Sequence, residues 1–203
     1  MAQAAQPVLR RPSLALASLL AALAVLAIPA GALFAQAPAA RFTVVETGQT
    51  FDRLQAAVDA IGDGRGTIAI ATGRYADCAV QSAGFISYLA AEPGAAVFDG
   101  RTCEGKAALV LRGRGAEVSG LVFENMRVPD FNGAGIRLEK GDLTVAQSWF
   151  RDSQQGILTA DDANGRILVD RSTFTRLGTC DGPGGCAHSI YIGEYSHLRV
   201  TRS

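Results

Sequence analysis

The chain has 203 residues, long enough for one domain with its own core, and carries 19 basic and 19 acidic side chains, a formal net charge of zero at pH 7. That balance gives no electrostatic case for nucleic acid or an anionic membrane surface as a partner.

Residues 1–37 read as a secretory signal peptide. Arg10 and Arg11 form a basic start, Leu14 to Ile28 an apolar run, and Ala35-Gln36-Ala37 a small-residue cleavage site. An uncleaved anchor is the alternative, because the apolar run extends to Phe34; Pro29 and Gly31 break it just before the cleavage site. The Arg10-Arg11 pair hints at twin-arginine export, although Pro12 and Ser13 stand where apolar residues are expected. Cleavage leaves 17 basic against 19 acidic residues and no further membrane-inserting segment. The expected location is the periplasm or the outside of the cell.

Residues 38–66 are read as an N-terminal strand followed by an amphipathic helix. Phe51, Leu54, Val58 and Ile61 share one helical face, with Thr50 as the expected N-cap and Gly62 as the stop.

Residues 67–203 repeat. GDLTVAQSWFRD (141–152) and GRILVDRSTFTR (165–176) place Leu143, Val145, Ser148 and Phe150 at the same offsets as Ile167, Val169, Ser172 and Phe174. AEVSGLVFEN continues the pattern upstream with Ala116, Val118, Leu121 and Phe123; HLRVTRS continues it downstream with Leu198, Val200 and Ser203. Between these copies lies a second short strand: ALVLR (108–112), GIRLE (135–139), GILTA (156–160) and SIYIG (189–193). Alternation sends one side chain inward and the next outward, and one extra residue at a bend resets the phase. A single repeat cannot bury its apolar side, whereas stacked copies can. The pattern predicts an all-β parallel solenoid with columns Phe123–Phe150–Phe174 and Val118–Val145–Val169–Val200, closed at its start by the helix. The chain stops inside a coil, so further C-terminal coils are expected in a longer protein.

Four cysteines in an exported chain predict two disulfides. Cys180 and Cys186 bracket a short Gly-rich loop, and Cys78 and Cys103 stand about one repeat apart. The spacing fits no standard zinc finger.

The segment Thr67, Ile68, Ile70, Gly73, Tyr75, followed by coils with Val118, Gly120, Leu121, Phe123 and Asn125, resembles the right-handed parallel β-helix superfamily that includes pectate lyases. The resemblance covers nearly all of residues 42–203. It implies the fold; many members cleave or epimerise acidic polysaccharides, while others are adhesins or tailspikes, so it does not settle an activity.

Aligning the short strands puts Arg137, Leu158 and Tyr191 in one outward column and Lys140, Asp161 and Glu194 in another. The chain's two histidines, His188 and His197, fall in the same coil, with Tyr195. The expectation is a polysaccharide groove: His188, Tyr191 and Arg137 catalytic, with Lys140, Tyr195 and His197 binding substrate. Arginine and lysine suit uronate carboxylates, aromatic rings suit sugar faces, and His or Tyr can move the protons of a β-elimination. Asp161, Asp162 and Glu194 are a candidate Ca²⁺ set. Bland readings stand beside each of these. Asp161 to Gly165 is a good turn sequence, Arg137 and Lys140 suit a solvated surface, and His188 suits a backbone contact. Asn125 is read as a turn-capping residue. A non-catalytic glycan-binding or envelope protein is the alternative function.

Overall fold

The structure is a computed structural model that describes residues 1–2, 40–178, 180 and 186–203. The leader read over residues 1–37 lies outside the described residues, apart from the first two. No helix among the described residues is long and apolar enough to cross a membrane.

Strands β1 (Phe42–Val44) and β2 (Gln49–Phe51) pair antiparallel, and helix α1 (Leu54–Ile61) follows. Three-stranded coils then succeed one another. The first is β3 (Arg65–Ile70), β4 (Gly73–Tyr75) and β5 (Ala79–Gln81). The second is β6 (Phe85–Ala90), β7 (Ala96–Asp99) and β8 (Ala107–Leu111). The third is β9 (Gly115–Ser119), β10 (Leu121–Glu124) and β11 (Ala134–Leu138). The fourth is β12 (Asp142–Ala146), β13 (Trp149–Arg151) and β14 (Gln155–Thr159). The fifth is β15 (Asp162–Asp170), β16 (Thr173–Thr175) and β17 (Ile190–Tyr191), and β18 (Tyr195–Thr201) begins a sixth.

Every third strand is a neighbour. The first sheet runs β18-β15-β12-β9-β6-β3 and is closed by antiparallel β1 and β2; the second runs β16-β13-β10-β7-β4; the third runs β17-β14-β11-β8-β5. The protein is therefore a parallel β-solenoid. The register follows the repeat: Val118 pairs with Val145, Val145 with Val169 and Val169 with Val200, while Phe123 pairs with Phe150 and Phe150 with Phe174.

Corners of the later coils use a residue with positive φ. Gly120, Gln147 and Arg171 turn the chain from the first sheet to the second, and Arg202 stands at the equivalent place after β18; Gly100, Asn125, Asp152 and Arg176 turn it out of the second. One left-handed residue resets the inward–outward phase, which is why apolar residues face the core on both sides of the bend. At the second corner Asn125 Nδ2 donates to Asp99 Oδ1 of the coil below at 2.7 Å.

The core is an aromatic stack. Phe42, Tyr75, Phe98, Phe123, Phe150 and Phe174 follow one another with ring centroids 4.8–5.7 Å apart. The third sheet gives these rings room through two glycines. A Cβ at Gly135 would meet the Phe150 ring at 2.7 Å, and one at Gly156 the Phe174 ring at 2.9 Å. The glycines that open GIRLE and GILTA are thus packing requirements.

Helix α1 buries Leu54, Ala57 and Val58 over the start of the solenoid and ends at Gly62. Thr50 is not its cap, because Thr50 pairs with Thr43 in β2. The helix opens after Arg53, and its cap arrives from the first coil: the buried Asp77 carboxylate accepts the Leu54 N–H at 3.0 Å and the Cys78 N–H at 2.9 Å.

Cys78–Cys103 and Cys180–Cys186 are disulfide-bonded, with Cα separations of 5.5 and 4.0 Å. Two disulfides indicate folding in an oxidising compartment.

Candidate functional site

The outer face of the third sheet carries one column of residues, set by register: Val80, Val110, Arg137, Leu158 and Tyr191. Its lower part is sealed. Val110 is fully buried and clusters with Ala107, Ala134 and Leu158, with Val80 and Cys103 against them. The Cys78–Cys103 bridge ties the covering segment to β5. The column opens at Arg137 and Tyr191.

Two segments wall the opening. One is the loop from Asn125 to Gly133 between β10 and β11. It is held by Gln154, whose Oε1 accepts the Val128 and Gly133 N–H groups at 2.9 and 2.8 Å while its Nε2 donates to the Val128 carbonyl at 3.1 Å. Gln154 is itself buried, so a single side chain satisfies three backbone groups that would otherwise lack partners. At the lip Phe131 adopts φ 65°, a conformation rare for a bulky side chain, and the Asp130 carboxylate accepts the Asn132 N–H. The second wall is Cys186, Ala187 and His188; the His188 N–H donates to Gln155 Oε1 at 3.4 Å. The cleft between them encloses about 400 Å³, floored by Arg137, Gln155, Leu158 and Thr159, with Tyr191 at its edge. A smaller hollow of about 190 Å³ shares Arg137, Leu158, Asp130 and Asn132 and extends the groove to Lys106.

Arg137 is the unusual member of the floor. Its Nε is buried and has no hydrogen-bond partner. The nearest carboxylate, Glu139, lies 3.7 Å away. Both Glu139 oxygens are already taken, one by Lys106 at 2.8 Å and the other by Arg112 at 2.5 Å. Glu104 completes this network, pairing with Lys106 at 3.2 Å and with both Arg112 terminal nitrogens. Hydrogen bonds from Arg112 and then Lys106 hold the Glu104 carboxyl down to about 2. Burial pushes Glu139 up, yet the bonds from Arg112 and Lys106 outweigh it and leave its pKa lowered. Lys106 and Arg112 thus engage both of these carboxylates, and Arg137 at the cleft floor is left with the longer contact to Glu139.

His188 and Tyr191 stand together above it, with ring centroids 5.6 Å apart. Of the residues singled out from sequence, the structure therefore gathers His188, Tyr191 and Arg137 around one cleft. It separates the other three. Lys140 lies in the turn before β12, beside Gly113 and Arg114. His197 is exposed on the first sheet, paired with Arg166. Tyr195 pairs with Asp162 in that same sheet, and its ring packs across Gly165 onto the core. Burial, with the charges of Asp162, Asp142 and Asp161, raises the Tyr195 phenol well above its ordinary range. The short link between β17 and β18 carries the chain around a corner, so neighbours in sequence leave on different sheets.

The acidic set does not converge. Among the described residues no three His, Cys, Asp or Glu side chains could hold a metal ion. Asp161 Oδ1 accepts the Glu194 N–H at 2.8 Å. Asp162 Oδ2 accepts the Gly141 N–H at 2.8 Å, and its Oδ1 the Asn164 N–H at 3.2 Å. The Gly141 bond lowers the Asp162 pKa. These carboxylates cap turns between coils.

Sequence reasoning passed over Asp130, Phe131, Asn132, Gln154 and Gln155. A signal was present: paired positions Val118 and Val145 stand 27 apart, against 24 for Val145 and Val169. The longer coil holds the loop that walls the cleft. Comparison with protein-family models, with curated proteins and with solved structures found no match.

Proposed function

We propose that this chain is an exported carbohydrate-active solenoid of pectate-lyase-like type, which takes an acidic saccharide in the cleft above Arg137 and cleaves it by β-elimination. The observation that carries the reading is Arg137, whose side chain is 25 % exposed at the floor of a polar cleft and whose nearby carboxylate, Glu139, is already engaged by Lys106 and Arg112. The exposed part of the planar guanidinium suits a uronate carboxylate. Tyr191 and Phe131 offer ring faces to the sugar at the two edges.

In this reading the Arg137 charge offsets the carboxylate and acidifies the neighbouring C5–H. One of His188 and Tyr191 removes that proton, and the other gives a proton to the departing glycosidic oxygen. The C–O bond breaks as the C4–C5 double bond forms, so no water is consumed. The same cleft supports a non-catalytic reading. The Asp130 carboxylate on the lip disfavours a second anionic unit, which suits capture of one acidic residue without turnover.

The test is incubation of the protein with pectate, alginate and a glycosaminoglycan, following ultraviolet absorbance of the unsaturated product. Product from one of them, lost in His188→Ala or Tyr191→Phe, supports elimination. Binding without product supports capture. Neither binding nor product with any of the three removes the acidic-saccharide reading.

A further inference from the structure

A second groove lies on the second sheet. There the outward column is Val97, Val122, Trp149 and Thr173, and beside it run Asp99, Glu124, Arg151 and Thr175. The partly buried Trp149 lies against Gly94, its six-membered ring 3.4–3.5 Å from where a Cβ on that glycine would stand. Glu92 and Pro93 form the opposite rim, Val122 the floor, and the hollow between encloses about 390 Å³.

The cationic group beside this indole is fixed in advance. Arg151 Nε donates to Glu124 Oε2 at 2.7 Å. Glu124 is buried, and Arg74 binds its other oxygen. The Arg151 guanidinium is therefore held at one nitrogen by a carboxylate that cannot swing away, while its side chain remains 40 % exposed at the groove. Exposed Glu92 supplies an acceptor across from it.

We infer that this groove binds an uncharged pyranose unit of a glycan, with the sugar's C–H face on the Trp149 indole and its hydroxyls between Arg151 and Glu92. An aromatic face with a donor on one side and an acceptor on the other matches a sugar ring, which has one apolar face and a hydroxyl rim. The rim carries one positive and one negative group, so it has no net attraction for a uronate, and Glu92 opposes one. Val122, Trp149 and Arg151 are carried by β10 and β13, so the floor, the indole and the donor are set by the strands, while Glu92 to Ala95 belong to the turn between β6 and β7. It stands apart from the Arg137 cleft, which lies on another sheet, and does not depend on what that cleft does.

Trp149 is the only tryptophan in the chain, so its emission reports this groove alone. The full chain is titrated with cellohexaose, xylohexaose and mannohexaose. The expected result is a saturable change in emission with at least one of them, weakened about tenfold by Glu92→Ala, which removes one charged hydrogen-bond partner. The same response is expected unchanged in Arg137→Ala. Silence toward all three, full-strength binding in Glu92→Ala, or loss of the response in Arg137→Ala would overturn the assignment.

Discussion

Phe150 and Phe174 stack face to face, with ring centroids 4.8 Å apart and planes 3° from parallel, although they stand 24 positions apart in the chain. Phe123 stacks on the other face of Phe150 at 5.1 Å. Phe150 is thus gripped from both sides and almost fully buried, whereas Phe174 is only partly buried. Phe150→Ala is expected to cost about 3–5 kcal/mol, from lost burial plus the cavity between two rings. Phe174→Ala is expected to cost less. Chemical denaturation of the two variants gives the comparison, and equal losses would contradict the coil-by-coil stack.

The cleft depends on a residue that does not line it. Gln154 holds the Asn125–Gly133 segment through three bonds to Val128 and Gly133. Gln154→Leu leaves those backbone groups without partners and is expected to raise amide exchange at Val128 and Gly133 well above that at Ile136 or Val145 in the neighbouring strands. An exchange pattern identical to the parent protein would show that the loop holds its shape by other means.

How these features could be read beforehand differs from one to the next. The valine and phenylalanine columns were legible because stacked strands put chemically like residues over one another at a constant spacing, and alternation fixed which of them point inward. The Arg137–Leu158–Tyr191 column followed from the same alignment. The loop that makes a cleft of it did not, since Asp130, Phe131 and Asn132 belong to no repeat. The partners of a cap are equally invisible when they are distant: Asp77 reaches Leu54 across 23 positions. Tyr195 and His197 misled for a related reason. Closeness in sequence placed them with His188, but the corner after Tyr191 carries them to another sheet.

The Glu104–Arg112–Lys106–Glu139 network has a stated dependence on acid. The Glu104 carboxyl is lowered from its ordinary 4.5 to about 2 by its bonds to Arg112 and Lys106. A carboxylate with a depressed pKa contributes stability that is complete above its unfolded value and is lost as the pH falls through the folded one. The contribution is therefore expected in full above pH 4.5 and to fade down to about 2. Carbon-detected NMR titration of the Glu104 carboxyl should give a midpoint near the lower value, returning toward the upper one in Arg112→Ala. A parent midpoint near 4.5 would contradict the geometry of the network.

The most direct test of the functional account is calorimetric titration with short uronate oligomers, namely trigalacturonate, trimannuronate and a hyaluronan tetrasaccharide. The parent protein is expected to bind at least one. Arg137→Ala is expected to weaken that binding about tenfold or more, because a charged hydrogen bond contributes about 1.5–3 kcal/mol. Equal affinity in parent and Arg137→Ala, or no binding by the parent to any of the three, would contradict the account.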